Sequence, residues 1–259
     1  MSRYPWYDSR WLETYADAKA WIARHRPSKL PEFERRLAPL RTDPGFETRK
    51  ISRVFDAATH GRIRETIEGL GRERLELHEV RDFGRFIVHD IPYFTELQNG
   101  LTDLVSDAVG ERVEPCYNFL SLYTKAGSCA PHMDAPMAKW TLDVCIDQSA
   151  AWPIYFSQVV DWPDEDFRRE PGWEERIKRD PHLHYSTFSL LPSEAVIFSG
   201  SSQWHFRDRM PTSGAPGGFC NLLFFHYFPE GMRELCDPAN WHEIFDVPEL
   251  ASFAKNHRD

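Results

Sequence analysis

The sequence predicts an α+β protein in which a mostly helical first part is joined to a β-rich sandwich or barrel. Three observations carry that reading. Up to about residue 110, stretches of mixed apolar and charged residues run to helical lengths between Pro, Gly, Asp or Ser. From residue 111 the chain breaks into short apolar, β-branched or aromatic runs separated by turn residues. The 259 residues, 41% hydrophobic and 14% aromatic, make a globular chain. Such a chain buries about three quarters of its unfolded surface without needing a metal or a disulfide.

The elements follow in order. Ser9–His25, Pro31–Leu40, Ala57–Gly71 and Tyr93–Val109 read as helices, and Leu75–Ile91 reads as a hairpin-like pair of short strands around Gly84. Strand-like runs come next: VEPCYNFLSLYTKAG, KWTLDVCID, WPIYF, HYSTFSLL, EAVIFSG, QWHFRDR and GFCNLLFFHYF. Turn residues such as Lys125-Ala126-Gly127 and Pro192-Ser193-Glu194 separate them. The charged stretch VVDWPDEDFRREPGWEERIKRDPHL, residues 159–183, interrupts this rhythm. Its charge density cannot be buried cheaply, so it is expected outside the β-core near the mouth of the barrel, as a helical or loop insertion and a candidate lid. The expected organisation is a helical region 1–110 packed on a core 111–235 that carries the insertion, followed by a C-terminal extension 236–259. No internal repeat or low-complexity segment is present.

Charge and cysteine content narrow the function classes. A net charge of −9 argues against broad phosphate-backbone binding, so no nucleic-acid partner is expected. Five cysteines, an odd number with no C-x-x-C pair, and no apolar leader after Met1 lead to an expectation of free thiols in the cytoplasm. No run approaches the length of about eighteen apolar residues that spans a bilayer, and no membrane partner is expected. Oligomeric state is not legible.

The chemistry centres on CAPHMDAPMAKW, residues 129–140. His132 and Asp134 are two apart, so in extended backbone both project to one side. Eleven His and 40 acidic residues make about 1.7 H-x-[DE] triplets by chance, and His257-Arg258-Asp259 repeats the form in a polar tail. A third ligand is therefore required. A redox-active Fe(II) site takes two imidazoles and one carboxylate on one face of the ion. His205, on the strand-like run after LLPSEAVIFSG, has the best context, with His226 on the last strand as its rival.

The succession Tyr123…Gly127…His132-x-Asp134, then LPSEAVIFSG, His205-x-Arg207 and a closing LLFFHYF resembles the Fe(II)/2-oxoglutarate-dependent dioxygenases over roughly residues 115–230. That resemblance implies a double-stranded β-helix core, a jelly-roll and cupin relative, behind N-terminal helices. It also implies Fe(II) held by His132, Asp134 and His205, with 2-oxoglutarate as cosubstrate. Tyr123 matches the family's cosubstrate-binding tyrosine. The family usually places a basic residue about ten positions after the second histidine, to pair with the distal carboxylate of 2-oxoglutarate. Ala215, Pro216, Gly217, Gly218 and Phe219 occupy that region here. Arg207, two residues from His205 and on the same strand face, is the nearest substitute, with Arg209 and Lys139 as alternatives.

The implied reaction is oxidative decarboxylation of 2-oxoglutarate to succinate, coupled to hydroxylation or desaturation of a small molecule such as an amino acid or natural-product intermediate. An acid at position 134, where related halogenases carry a small residue, favours these outcomes over halogenation. Trp140, Trp152 and Trp204 beside the strands read as packing. Two other functions fit the pattern: a peptide or protein hydroxylase, and a cupin-like barrel that binds a metal or ligand without catalysis.

Overall fold

The computed structural model describes residues 10–162, 172–211 and 217–254. The middle of the 159–183 insertion, Ala215 and Pro216, and the His257-Arg258-Asp259 tail lie outside the described residues.

Helix α1 (Arg10–His25) buries Trp11, Leu12, Tyr15, Ala18 and Ile22, the spacing of one helical face. After α2 (Leu30–Leu37) and the short strand β1 (Arg49–Ile51) comes α3 (Ala57–Glu68), opened by Asp56, whose side chain accepts from the backbone N–H of Thr59. The helical turn α4 (Val80–Phe83) stops at Gly84, where φ is +66° and a Cβ would stand 2.5 Å from the backbone of Ala126. Glycine is required there on both counts, and it lets β2 (Arg85–His89) start hard against the turn at Ala126. The pair of strands expected in Leu75–Ile91 is thus one strand, β2, met by a single bridge between Glu76 and Ile87. The single helix expected over Tyr93–Val109 is two, α5 (Pro92–Gly100) and α6 (Thr102–Val109), because Asn99-Gly100 propagates a helix poorly.

The β-rich half contributes β3 (Val113–Thr124), β4 (Cys129–His132), β5 (Trp140–Gln148) and β6 (Ile154–Phe156). Helix α7 (Trp173–Lys178) and strands β7 (Ser186–Phe188), β8 (Ala195–Ser199), β9 (His205–Arg207) and β10 (Phe219–Pro229) follow. The chain closes with α8 (Arg233–Cys236), α9 (Trp241–Ile244) and α10 (Ala251–Ala254). Two antiparallel sheets result, one in the order β1-β8-β5-β10-β3-β2 and one in the order β4-β9-β6-β7.

Alternation along the strands builds two cores at once. On β10, Leu223, Phe225 and Tyr227 face outward into a cluster with Ile63 of α3, Phe94 of α5 and Val105 of α6. Cys220 and Leu222 face inward, toward Trp152 and toward Ile154 and Phe156 of the smaller sheet. A third core joins the two ends of the chain. Trp11 of α1 meets Trp241 of α9 edge to face at 5.4 Å, and its indole N–H donates to the carbonyl of Cys236 at 2.8 Å.

The described ends of the 159–183 insertion lie outside the two sheets. Trp162 and Ile177 are buried in the third core, and α7 packs against β4, the strand that ends in His132. All five cysteines are free thiols. No helix among the described residues is long and apolar enough to cross a membrane.

Candidate metal centre and cavity

Strands β4 and β9 pair with His132 directly opposite His205, and their ring centroids are 4.1 Å apart. Asp134 follows β4 in a loop fixed by its own N–H, which donates to the carbonyl of Gly200 at 2.8 Å. Its Oδ1 lies 3.6 Å from Nε2 of His132 and its Oδ2 lies 3.8 Å from Nε2 of His205. These separations are too long for hydrogen bonds. The potential ligand atoms of all three residues nevertheless fall within 4.8 Å of one another, the only such group among the described residues.

The donor set fits a divalent ion. Nδ1 of His132 lies 2.9 Å from the carbonyl of Ala130, and Nδ1 of His205 lies 3.0 Å from the carbonyl of Gln203. A carbonyl only accepts, so each Nδ1 carries the hydrogen and each Nε2 turns its lone pair toward Asp134. Burial holds the His205 imidazole well below its ordinary pKa, and neighbouring His132 adds to the effect, so the ring stays neutral as a ligand must. At His132 burial also opposes charge, but the Cys129 sulfur and Asp134 outweigh it and raise the group to about 9. The surroundings of His132 favour positive charge, which a metal would supply in place of the proton.

The triad opens onto a cavity of about 170 Å³ with an open mouth. Two buried arginines line it. Arg207 projects from β9, where Nη2 donates to Oδ2 of Asp143 at 2.7 Å and Nη1 to the carbonyl of Trp152 at 2.6 Å. Arg85 of β2 stands opposite Tyr123 in the sheet and donates to its hydroxyl at 2.8 Å, while its Nε is ion-paired with buried Glu79. Tyr123 also meets Trp152 edge to face at 4.8 Å. Burial pushes the Tyr123 hydroxyl far up, more than Arg85 pulls it down, so it stays protonated.

Of the residues singled out from sequence, the structure brings His132, Asp134, His205, Tyr123 and Arg207 to this one cavity. Two alternatives lie elsewhere. Lys139 is buried against Glu111 at 2.5 Å and the carbonyl of Pro39, away from the cavity, and Arg209 is exposed. His226 shares the cavity wall but stands apart from the triad, stacked on Tyr117 at 4.2 Å, and burial lowers it to about 3. Trp140 and Trp204 belong to the outer cores, whereas Trp152 supplies the carbonyl that holds Arg207.

Sequence reasoning missed Arg85, Glu79 and Asp143. Asp143 carried a usable signal, a lone acid at an inward position of the apolar run KWTLDVCID. Arg85 carried none, because its place depends on β2 adding to the edge of β3.

No family model and no curated protein sequence matches the chain. Solved structures do match. HygX from Streptomyces hygroscopicus, with nickel, 2-oxoglutarate and hygromycin B bound, superposes with a TM-score of 0.53 at 14% identity, over 71% of this chain and 83% of that one. SnoN, a non-heme α-ketoglutarate-dependent epimerase from nogalamycin biosynthesis, gives a TM-score of 0.51 at 16% identity, over 79% of this chain and 88% of that one. SnoN in complex with Fe3+, α-ketoglutarate and nogalamycin RO gives the same TM-score. The likeness that His132-x-Asp134…His205 led us to expect therefore extends to the fold, which this chain shares with HygX and SnoN.

Proposed function

We propose that this chain is an Fe(II)- and 2-oxoglutarate-dependent oxygenase that hydroxylates or desaturates a small molecule, and that its two sheets are the faces of a double-stranded β-helix. The observation that carries this reading is the convergence of His132, Asp134 and His205 on one point at the wall of a cavity that also holds Arg207 and Tyr123. His132, Asp134 and His205 would hold the iron at the wall of the cavity. Iron and 2-oxoglutarate, when bound, supply the oxidising chemistry through decarboxylation to succinate.

The chain's own residues position and shield the reactants. Arg207 pairs with the distal carboxylate of 2-oxoglutarate, since an anion drawn between apolar sheets needs a fixed cation. The Tyr123 oxygen already accepts from Arg85, so its hydrogen is left to donate to the same carboxylate. Phe198, whose ring lies 4.8 Å from that of His205, and Ile154 line the wall beside the triad and make it apolar.

The test is direct. The native chain is expected to bind one iron and to form succinate from 2-oxoglutarate, and His132→Ala and His205→Ala are each expected to lose iron binding by at least about a hundredfold. Full iron affinity in both variants would remove the triad. One bound iron without succinate, across a wide substrate panel, would favour a non-catalytic cupin-like barrel. Because one solved structure of this fold is an epimerase, products are assayed for inverted stereochemistry as well as for added oxygen.

A further inference from the structure

We propose that Asp143 takes up a proton when the distal carboxylate of 2-oxoglutarate reaches Arg207, so that cosubstrate binding is coupled to protonation of a positioning residue one layer behind the cavity. The proposal rests on Arg207 as the anchor, as assigned above.

Asp143 points inward from β5 and is 0% exposed, and Arg207 opposite it is 4% exposed. Oδ2 of Asp143 accepts from Arg207, while its Oδ1 is buried and has no hydrogen-bond partner among the described residues. An ionised carboxylate has about four acceptor sites, and leaving one oxygen dry and unpaired disfavours the charge. Burial indeed pushes the Asp143 carboxyl above its ordinary value, against the pull of Arg207.

The groups around Asp143 are few. Arg207 faces it from β9, Arg85 acts from β2 with Glu79 already paired to it, and the Tyr123 hydroxyl lies nearby on β3. Cys145, two residues along β5, and Cys220 on β10 are thiols. Without ligand, two guanidinium and two carboxylate charges cancel. An arriving distal carboxylate breaks that balance and leaves two carboxylates sharing one buried guanidinium, with Asp143 itself shut off from water, which favours protonation of one of them. The ligand's carboxylate stands on the cavity side, whereas Asp143 does not line the cavity at all. The proton therefore goes to Asp143. Placed on Oδ1 it displaces no existing hydrogen bond, and Oδ2 continues to accept from Arg207.

The sign follows from linkage. The bound state holds one more proton than the free state, so affinity for 2-oxoglutarate falls as pH rises wherever free Asp143 is ionised. A 2-oxo acid without the distal carboxylate, 2-oxobutyrate, reaches the metal but not Arg207 and shows no such coupling.

The experiment is calorimetric titration of 2-oxoglutarate into the Mn(II)-saturated, oxygen-free protein between pH 6.5 and 8.5, in buffers of different ionisation enthalpy. We expect uptake of about one proton and a fall in affinity of up to about tenfold per pH unit. Neither is expected with 2-oxobutyrate. In Asp143→Asn the uptake should vanish and the affinity should become flat with pH. Absence of uptake in the native protein, which needs no variant to fold, overturns the proposal, as does uptake that persists in Asp143→Asn. Arg207→Ala and Arg207→Lys separate the two layers. If neither weakens 2-oxoglutarate binding, the anchor itself is wrong and the coupling falls with it. If both weaken binding while native uptake is zero, the anchor stands and only the proton coupling is lost.

Discussion

A side chain at position 200 would collide with the carboxylate of Asp134 and with the carbonyl of Ala138, and would press on the hydroxyl of Thr141. Gly200 has no unusual φ, so the requirement is one of space alone. Its carbonyl also fixes the backbone of Asp134, which ties the acid to the strand that leads toward His205. We therefore expect Gly200→Ala to move the Asp134 carboxylate and weaken Mn(II) binding at least about tenfold, a loss of about 1.4 kcal/mol. The measurement is a metal titration beside a thermal melt that reports whether the variant is folded. A folded variant with native affinity would show that the carboxylate is not held by this contact. At this scale the metal residues were legible because two of them lie close in sequence and strand parity says which way they point. Arg85 and Glu79 were not, since Arg85 acquires its role through partners 6 and 38 residues away, and Asp143 showed only as a lone acid in an apolar run, its partner Arg207 lying 64 residues on.

Strand β10 lies at the middle of the large sheet, with β3 on one side and β5 on the other, and its two faces do different work. Phe225 is completely buried and meets Phe55 edge to face across the helical layer, while Phe224 is half-buried and lines the cavity. Phe225→Ala is expected to cost about 3–5 kcal/mol of unfolding free energy. Phe224→Ala should cost less and act on ligand binding instead. Denaturant unfolding of both variants checks this, and equal losses would contradict the alternation. The strands were readable in the sequence as short apolar, β-branched or aromatic runs between turn residues, and α1 as a mixed apolar and charged stretch of helical length. Boundaries failed where local chemistry is weak. The helix over Tyr93–Val109 breaks after Asn99-Gly100, and Val80–Phe83 closes a single turn within a stretch that reads as extended.

At the scale of the whole molecule, the proposed site draws its parts from distant segments: β4 and the loop after it, β9, β5, and β2 with β3. None of these segments assembles the site alone, so a ligand that bridges them binds the folded chain and not the unfolded one. Stability then rises with ligand concentration, by about 2.7 kcal/mol at a hundredfold excess over Kd. For a chain of this size each kcal/mol raises Tm by roughly 2–4 °C. We expect Mn(II) alone to raise Tm, and 2-oxoglutarate alone to add little, because without the metal only its distal carboxylate has a partner. Given together, the two should shift Tm by more than the sum of their separate effects. Melting curves with each ligand and with both, on the native chain and on His205→Ala, decide the point. An equal combined shift in His205→Ala would place the stabilising ligand somewhere other than the triad. A combined shift no larger than the sum would mean that metal and cosubstrate do not share one site.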